Sequence, residues 1–248
     1  MEVHHPRHVT HKKKWTEYLF EFLMLFLAVF CGFMAENFRE HLIENTKEKE
    51  FVKSLVEDLK KDTARLNYSI GRLKEASRSS DSLVINYIKR KKSSMYEKDM
   101  ARFGLRTGFS VDVVFNDRTS SQLKGTGSIR LIRNKEVVDS MMQYWNNQTR
   151  ITQIHDRYEN IRIEQRKIGY KTFNWYALNY DYTPDSILLD LHLDDFTGIS
   201  NKQMVNEFVN ACSNLYAGAV QQYIPELETE SELAKKLIAL IKKEYHLK

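Results

Sequence analysis

The pattern of hydrophobic and polar residues changes near residue 39 and divides the chain into two parts. Residues 18–38 contain an unbroken run of 14 apolar residues from Phe22 to Ala35, and with its aromatic flanks this stretch is about 31 Å long as a helix. Beyond residue 39, apolar residues recur at three- and four-residue steps, which is typical of amphipathic helices. The pattern predicts an all-α protein in which a transmembrane helix at 18–38 continues into a long-helix antiparallel bundle.

Three structures are compatible with the apolar run: an uncleaved anchor, a removed signal peptide and a buried helix of a soluble domain. Trp15 and Tyr18 lie where an aromatic belt would, and no small-x-small cleavage motif follows the run. The sequence therefore favours the uncleaved anchor. Glu21 is interpreted as interfacial, with a contact to a subunit or partner as the alternative. Ala28 and Gly32 form a small-xxx-small pair through which two such helices could pack.

Basic residues before the span predict its orientation. Arg7 and Lys12–Lys14 precede it, whereas the basic residues that follow are more dilute and are interleaved with glutamates. The positive-inside rule then makes residues 1–17 a cytoplasmic tail and residues 39–248 an extracytoplasmic helical domain. In a bacterium this arrangement corresponds to a single-pass inner-membrane protein with a periplasmic domain. The tail is also rich in histidine, and we interpret it as a basic tail near anionic lipid rather than a metal site: His4, His5, His8 and His11.

Three blocks of the sequence carry a resemblance to a known family. They are HKKKWTEYLFEFLMLFLAVFCGFMAENFRE at 11–40, TSSQLKGTGSIRLIRNKEVVDSMMQYWNN at 119–147 and LIALIKKEY at 237–245. Together they resemble an uncharacterised family of bacterial single-pass membrane proteins, found largely in Bacteroidota and described only as a domain of unknown function. The resemblance implies an inner-membrane anchor followed by a helical extracytoplasmic domain. It implies no activity and no catalytic residues.

A heptad pattern follows the span. Apolar residues recur every seven positions along 52–73, and no proline or glycine interrupts the chain between Phe33 and Ile70. The first helix is therefore predicted to continue from the membrane without a break. Its apolar stripe is predicted to pack within its own domain, because other long helices need a partner, and pairing with a second chain is the alternative. The stripe consists of Val52, Leu59, Leu66 and Leu73.

The rest of the chain is predicted to form further helices around one irregular stretch. The expected elements are a short strand or buried loop over 109–115, a short helix capped by Asn116 or Asp117, a helix from Asn134 to about Ala177, a helix from 200–203 that stops before Pro225, and a final helix that opens at a capping box over 229–232. The predicted core face of the helix after Asn134 includes Met141, Met142, Trp145, Thr149, Thr152, Tyr158 and Gln165.

Composition limits the possible functions. The chain of 248 residues has a net charge of +5, and the residues after Ala35 include 34 basic and 30 acidic side chains without a concentrated basic stripe. A nucleic-acid-binding protein is expected to have such a stripe, so we do not predict nucleic-acid binding. Cys31 lies in the span and Cys212 in a distal helix, so the two thiols are not expected to form a disulfide. Cys212 falls on an apolar helical face and is predicted to be a buried structural thiol.

The possible metal ligands and the glycine-containing loop of the sequence do not form the pattern of a metal or phosphate site. Gly125–Ser128 lacks the lysine of a phosphate-binding loop and is predicted to be a tight turn. His155 and Glu159, one turn apart, are predicted to join a surface hydrogen-bond or ion-pair network. A segment around His192 also holds Asp194 and Asp195, which are expected to be solvated. We therefore assign no catalytic, cofactor-binding or metal residues and expect no cofactor.

These observations favour a non-enzymatic function. Motifs for nucleotide binding, zinc proteolysis and nucleophilic hydrolysis are missing from the sequence. A helical domain on a single anchor is typical of a scaffold or accessory protein that contacts the bilayer and either a protein partner or a second copy of itself. The alternative is a periplasmic sensor of a small ligand. A polar pocket between the long helices would favour the sensor, and an exposed apolar patch or groove would favour the scaffold.

Overall fold

The computed structural model describes residues 14–89, 100, 103–104, 106–173 and 202–247 of the chain. The protein is all-α, as predicted, and none of these residues lies in a β-strand. The elements in chain order are α1 (Trp15–Lys89), α2 (Arg118–Gly125), a 3₁₀ turn (Ser128–Leu131), α3 (Lys135–Thr172), α4 (Lys202–Gly218), a π-helical turn (Ala219–Tyr223) and α5 (Ile224–Glu244).

The chain divides into two compact units, residues 1–50 and residues 51–248. In the first unit, all the described residues up to Glu44 are solvent-exposed, including the bulky side chains of Met24 and Val29. Among the described residues, α1 is the one helix long and apolar enough to cross a membrane, and none of its most apolar window is buried. Phe22, Phe26 and Phe30 stack along one side of it. The described chain therefore does not bury this helix as a soluble core would.

The second unit is a bundle of α1, α3 and the α4–α5 segment, held by three apolar clusters. Each cluster contains side chains from all three helical segments. The first includes Val52, Leu59, Val137, Met141, Trp145, Ala234, Leu237 and Ile241; the second includes Leu66, Leu73, Ile154, Tyr158, Leu215, Tyr223 and Leu227; the third includes Leu83, Met100, Phe173, Val205, Phe208 and Cys212.

The order of residues in the clusters gives the direction of each helix. From the first cluster to the third, residue numbers rise along α1 and α3 and fall along α4–α5. Hence α4–α5 runs antiparallel to α1 and α3, which share a direction. The heptad stripe of α1 is buried in these clusters, which confirms that it packs within its own domain. The N-cap of α3 is Asn134, as predicted, and its Oδ1 accepts a hydrogen bond from the Val137 amide at 3.1 Å. The helix ends at Thr172. Residues 174–177, which the prediction included in this helix, lie outside the described residues.

Because α1 and α3 run in the same direction, the chain between them must return along the bundle. Met100 packs in the third cluster, Val111 in the second and Leu123 in the first. We call the described residues of 100–134 the return segment. Residues 109–116 form neither a helix nor a strand, so the strand alternative is wrong. The buried-loop alternative holds only for Val111, because Phe109 and Val114 are exposed. The return segment fills the bundle along its length and is part of the core.

Two predictions about the last helices are wrong. The chain does not stop before Pro225 and restart at 229–232, but stays helical from Lys202 to Glu244. A π-helical turn ends at Tyr223, two residues before Pro225, and this irregular turn accommodates a residue without an N–H. Thr229 does not cap a helix, since its hydroxyl donates to the Pro225 carbonyl oxygen at 2.9 Å. The residue after it, Glu230, consequently lies inside the helix and is fully buried.

The predicted core face of α3 is also partly wrong. Met142, Thr149 and Thr152 are exposed, whereas Met141, Trp145, Tyr158 and Gln165 are buried as expected. The buried face also includes six residues that the prediction does not contain. They are Val137, Tyr144, Ile151, Ile154, Gly169 and Thr172.

Close packing in the third cluster yields a test of the fold. A Cβ added at Gly104 would lie 2.6 and 2.7 Å from two ring atoms of Phe208, a side chain with no exposed surface. We expect Gly104→Ala to lower the free energy of unfolding by about 1–3 kcal/mol, because the buried ring must move. A Cβ at Gly71 in α1 meets nothing within 4 Å, so Gly71→Ala should instead raise stability by about 0.5–1 kcal/mol. Urea unfolding of the full chain in mild detergent compares the two, and a loss of equal size in both would contradict this packing.

Candidate functional site

A buried polar cluster lies in the bundle beside the first apolar cluster. Its carboxylates come from two helices: Asp58 and Asp62 lie one turn apart on α1, and Glu230 lies on α5. All three residues are at most 3% exposed. Tyr144 and Asn147 of α3 complete what we call the acidic cluster. Buried carboxylates require hydrogen-bond partners, so the contacts of each determine what the cluster can do.

Asp62 connects α1 to α3 and to the return segment. Its Oδ1 accepts hydrogen bonds from the Asn116 backbone amide at 2.8 Å and from the Asn116 side chain at 3.3 Å. Its Oδ2 accepts the Tyr144 hydroxyl at 2.9 Å. Burial raises the pKa of Asp62, while these hydrogen bonds act to lower it. Both oxygens are engaged, which makes Asp62 a positioning residue of the bundle.

Asp58 anchors the beginning of α2. Its Oδ2 accepts the backbone amide of Thr119 at 3.2 Å and also the Thr119 hydroxyl, while Oδ1 accepts Arg118 at 3.2 Å. The predicted N-cap position at Asp117 is confirmed, but the Asp117 side chain makes no cap hydrogen bond. The carboxylate that satisfies an amide of the first turn of α2 therefore comes from α1, 61 residues away in sequence.

Glu230 differs from the two aspartates because only one of its two carboxyl oxygens accepts a hydrogen bond from the described residues. Its Oε2 accepts a hydrogen bond from the Asn147 side chain at 2.9 Å. Its Oε1 is buried and has no hydrogen-bond partner among the described residues. Burial is the largest cause of a rise in the pKa of Glu230 to about 8. This carboxyl group is therefore protonated over a pH range in which an exposed glutamate is charged.

A second buried network fixes the other end of the return segment. The Gln165 side-chain amide donates to the Thr107 hydroxyl at 3.0 Å and to Cys212 Sγ at 3.3 Å. Cys212 is buried, as predicted, and burial raises its pKa to about 11, so the thiol is unreactive at neutral pH. Gly108 lies so close that an added Cβ would be 2.8 Å from Gln165 Oε1. This network serves packing.

His155 and Glu159 take part in separate hydrogen-bond networks. His155 Nδ1 and the Tyr223 hydroxyl are 2.8 Å apart, which connects α3 to the π-helical turn. Glu159 accepts hydrogen bonds from the Arg162 guanidinium and, at 3.4 Å, from Ser110 of the return segment. Hydrogen bonding is therefore confirmed for both residues and an ion pair for Glu159, with Arg162, but the two residues do not share one surface network as predicted. Within the described part of the chain no group of three possible metal ligands occurs.

A groove of about 690 Å³ runs between α3 and α4 on the surface of the bundle. Ile161, Ile168 and Ala211 supply its apolar residues. Among the described residues, the polar side chains that line it carry amides or carboxylates and none is basic: Asn160, Glu164, Gln165, Glu207, Asn210 and Asn214. A concave surface that combines an apolar part with amide groups can bind a peptide or a small molecule.

Sequence analysis does not predict the acidic cluster. Asp58 and Asp62 occur in the charged pattern of an exposed helix, and Glu230 falls within the predicted capping box over 229–232. One signal lies in the spacing, since Asp58 and Asp62 fall three residues after Leu55 and Leu59, and Asp62 falls four residues before Leu66, on the same side of the helix as these leucines. Glu21, Ala28 and Gly32 are exposed on α1. The histidines of residues 1–13 and the segment with His192, Asp194 and Asp195 lie outside the described residues.

Comparison of the chain with family models, with curated proteins and with solved structures gives no significant match. The resemblance to the uncharacterised single-pass membrane proteins therefore stays a prediction.

Proposed function

We propose that the protein is a membrane-anchored scaffold or accessory protein whose helical bundle binds another protein and catalyses no reaction. The observation that carries this proposal is the continuity of α1, a single helix whose apolar N-terminal part is exposed and whose C-terminal part belongs to the bundle core. A helix of this kind fixes a folded domain to a bilayer. The carboxylates of the bundle support the proposal, because their contacts hold the fold together.

The proposed orientation places the bundle outside the cytoplasmic membrane, in the periplasm of a bacterium. Its support is the run Lys12–Lys14 directly before the span, which the positive-inside rule assigns to the cytoplasmic side. The proposed partner surface is the groove between α3 and α4. Its apolar residues give a peptide a surface to bury, and its amide groups offer hydrogen bonds to a backbone.

Photocrosslinking in cells tests the partner surface. A photoreactive amino acid replaces Asn210 in the groove or, as the control, Asp81, which is exposed on α1. We expect crosslinking at 210 to yield a reproducible adduct with a membrane or periplasmic protein that is missing at 81. Adding Asn214→Trp, which fills the groove, should reduce the adduct at least fivefold. Equal adducts at both positions would contradict the proposed surface. If the chain formed adducts only with itself, the partner would be a second copy of the chain and not another protein.

A small-ligand sensor is the second candidate, and the polar lining of the same groove favours it. A volume of about 690 Å³ lies within the range of ligand sites in proteins. A ligand screen by thermal shift on the full chain in detergent distinguishes the candidates. A sensor should be stabilised by a small molecule, and Asn214→Trp should abolish that shift.

A further inference from the structure

Glu230 lies at the junction of three helices in a setting that opposes a negative charge. Its side chain has no exposed surface. Among the described residues Oε1 has no hydrogen-bond partner, and the neutral amide of Asn147 supplies the one hydrogen bond to this carboxyl group. An ionised carboxylate without a compensating cation is costly in such a site, whereas the neutral acid is tolerated. The geometry itself therefore selects the protonated form.

The charged groups around Glu230 act in the same direction. Asp62 faces it from α1 and Glu226 precedes it by one turn on α5, and both carboxylates raise the pKa of Glu230 further. From α3, Asn147 opposes the rise and Tyr144 presents its hydroxyl to Asp62. The nearest cation along α3, Arg150, forms an ion pair with Glu226 instead. No described cation forms an ion pair with Glu230.

The position of Glu230 couples its charge to the packing of α5. The residues one, two and three turns after it complete the first apolar cluster against α1 and α3: Ala234, Leu237 and Ile241. We propose that Glu230 is a proton-dependent joint of the bundle, at which the protonated carboxyl lets α5 pack against α1 and α3 and loss of the proton loosens that packing. This inference concerns the fold and holds whichever partner the bundle binds.

The direction of the pH effect follows from proton linkage. The ordinary pKa of a glutamate is 4.5, and in the packed helix that of Glu230 is raised to about 8. Between these values the packed state holds a proton that the opened state has lost, so packing is strongest below pH 4.5 and weakens as the pH rises to 8. One proton corresponds to about a tenfold change in the opening equilibrium for each pH unit in that window.

Amide hydrogen exchange on the full chain in mild detergent measures this opening. Protection factors for 230–244, corrected for the intrinsic pH dependence of exchange, are compared at pH 6, 7 and 8. We expect protection in the wild type to fall about tenfold for each pH unit and to change less than twofold over the range in Glu230→Gln. Protection that does not vary with pH in the wild type would overturn the proposal.

Three variants keep the test specific. Glu232→Gln removes an exposed carboxylate that pairs with Lys235 at 2.6 Å on the same helix, and it should behave as the wild type does. Asn147→Ala removes the donor that the described residues provide to Glu230. It should extend the loss of protection above pH 8, seen as a further fall between pH 8 and pH 9 that the wild type shows less, and this tests the proposal even if Glu230→Gln fails to fold. A pH dependence that persists in Glu230→Gln but vanishes in Asp62→Asn would place the proton on Asp62 and overturn the assignment.

Discussion

Replacing Asp62 with alanine is expected to lower the free energy of unfolding of the bundle by about 3 kcal/mol. The substitution leaves the Tyr144 hydroxyl and the Asn116 amide without the acceptor that the structure gives them. Each buried donor left unpaired costs about 1–3 kcal/mol, and relief from burying the carboxylate offsets part of the sum. Urea unfolding of the full chain in mild detergent measures the change.

Two controls separate the network from loss of charge alone. Glu57→Ala removes an exposed carboxylate five residues before Asp62 on α1, whose contact with Arg118 at 3.9 Å is solvent-exposed, and it should change stability by less than about 0.5 kcal/mol. In a double-mutant cycle, Tyr144→Phe should cost much less in the Asp62→Ala background than in the wild type. Equal costs in the two backgrounds would show that the 2.9 Å contact between Asp62 and Tyr144 contributes nothing.

Two arginines in the apolar part of α1 are expected to release the protein from the membrane. Leu25 and Val29 lie near the middle of the predicted span and are exposed. Each arginine at the centre of a membrane helix costs about 2.5–3.5 kcal/mol of insertion free energy, so the double variant Leu25→Arg, Val29→Arg loses about 5–7 kcal/mol. Carbonate extraction of cell membranes followed by immunoblotting measures the fraction retained. We expect the wild type in the pellet and at least a tenfold loss of retained protein in the variant.

The matched control adds the same charge elsewhere on the same helix. Tyr68 and Ile88 are 70% and 71% exposed on the part of α1 that belongs to the bundle. The double variant Tyr68→Arg, Ile88→Arg should stay in the membrane pellet as the wild type does. If the arginines at 25 and 29 left retention unchanged, residues 18–38 would not be the anchor.

Most of the fold follows from local patterns that the sequence contains. A seven-residue apolar repeat without proline or glycine specifies one long helix and its buried face, and Asn134 marks the start of another. These signals depend on a few neighbouring residues, so a single sequence is enough to read them. The direction of the helices is not local, because it depends on how the return segment packs between clusters far apart in sequence.

The acidic cluster illustrates why sites formed by tertiary contacts are missed. Asp58 and Asp62 look like part of a charged helix face until α2 and Tyr144 pack against them. Glu230 resembled a capping residue because Pro225 normally ends a helix, whereas the π-helical turn before it lets the helix continue. Because the predicted helix started at 229–232, the prediction placed Glu230 at an exposed helix end, whereas the structure buries it inside α5.

A protease-accessibility assay tests whether the bundle is anchored in the inner membrane and lies on its outer side. Cells with a permeabilised outer membrane carry the full chain with a tag after Lys248, and an added protease reaches the outer face of the inner membrane. We expect the protease to digest the tag and the bundle, and we expect the undigested protein to stay in the carbonate-resistant membrane fraction. A tag that stays protected until the inner membrane is lysed, or a chain that carbonate releases, would contradict this expectation.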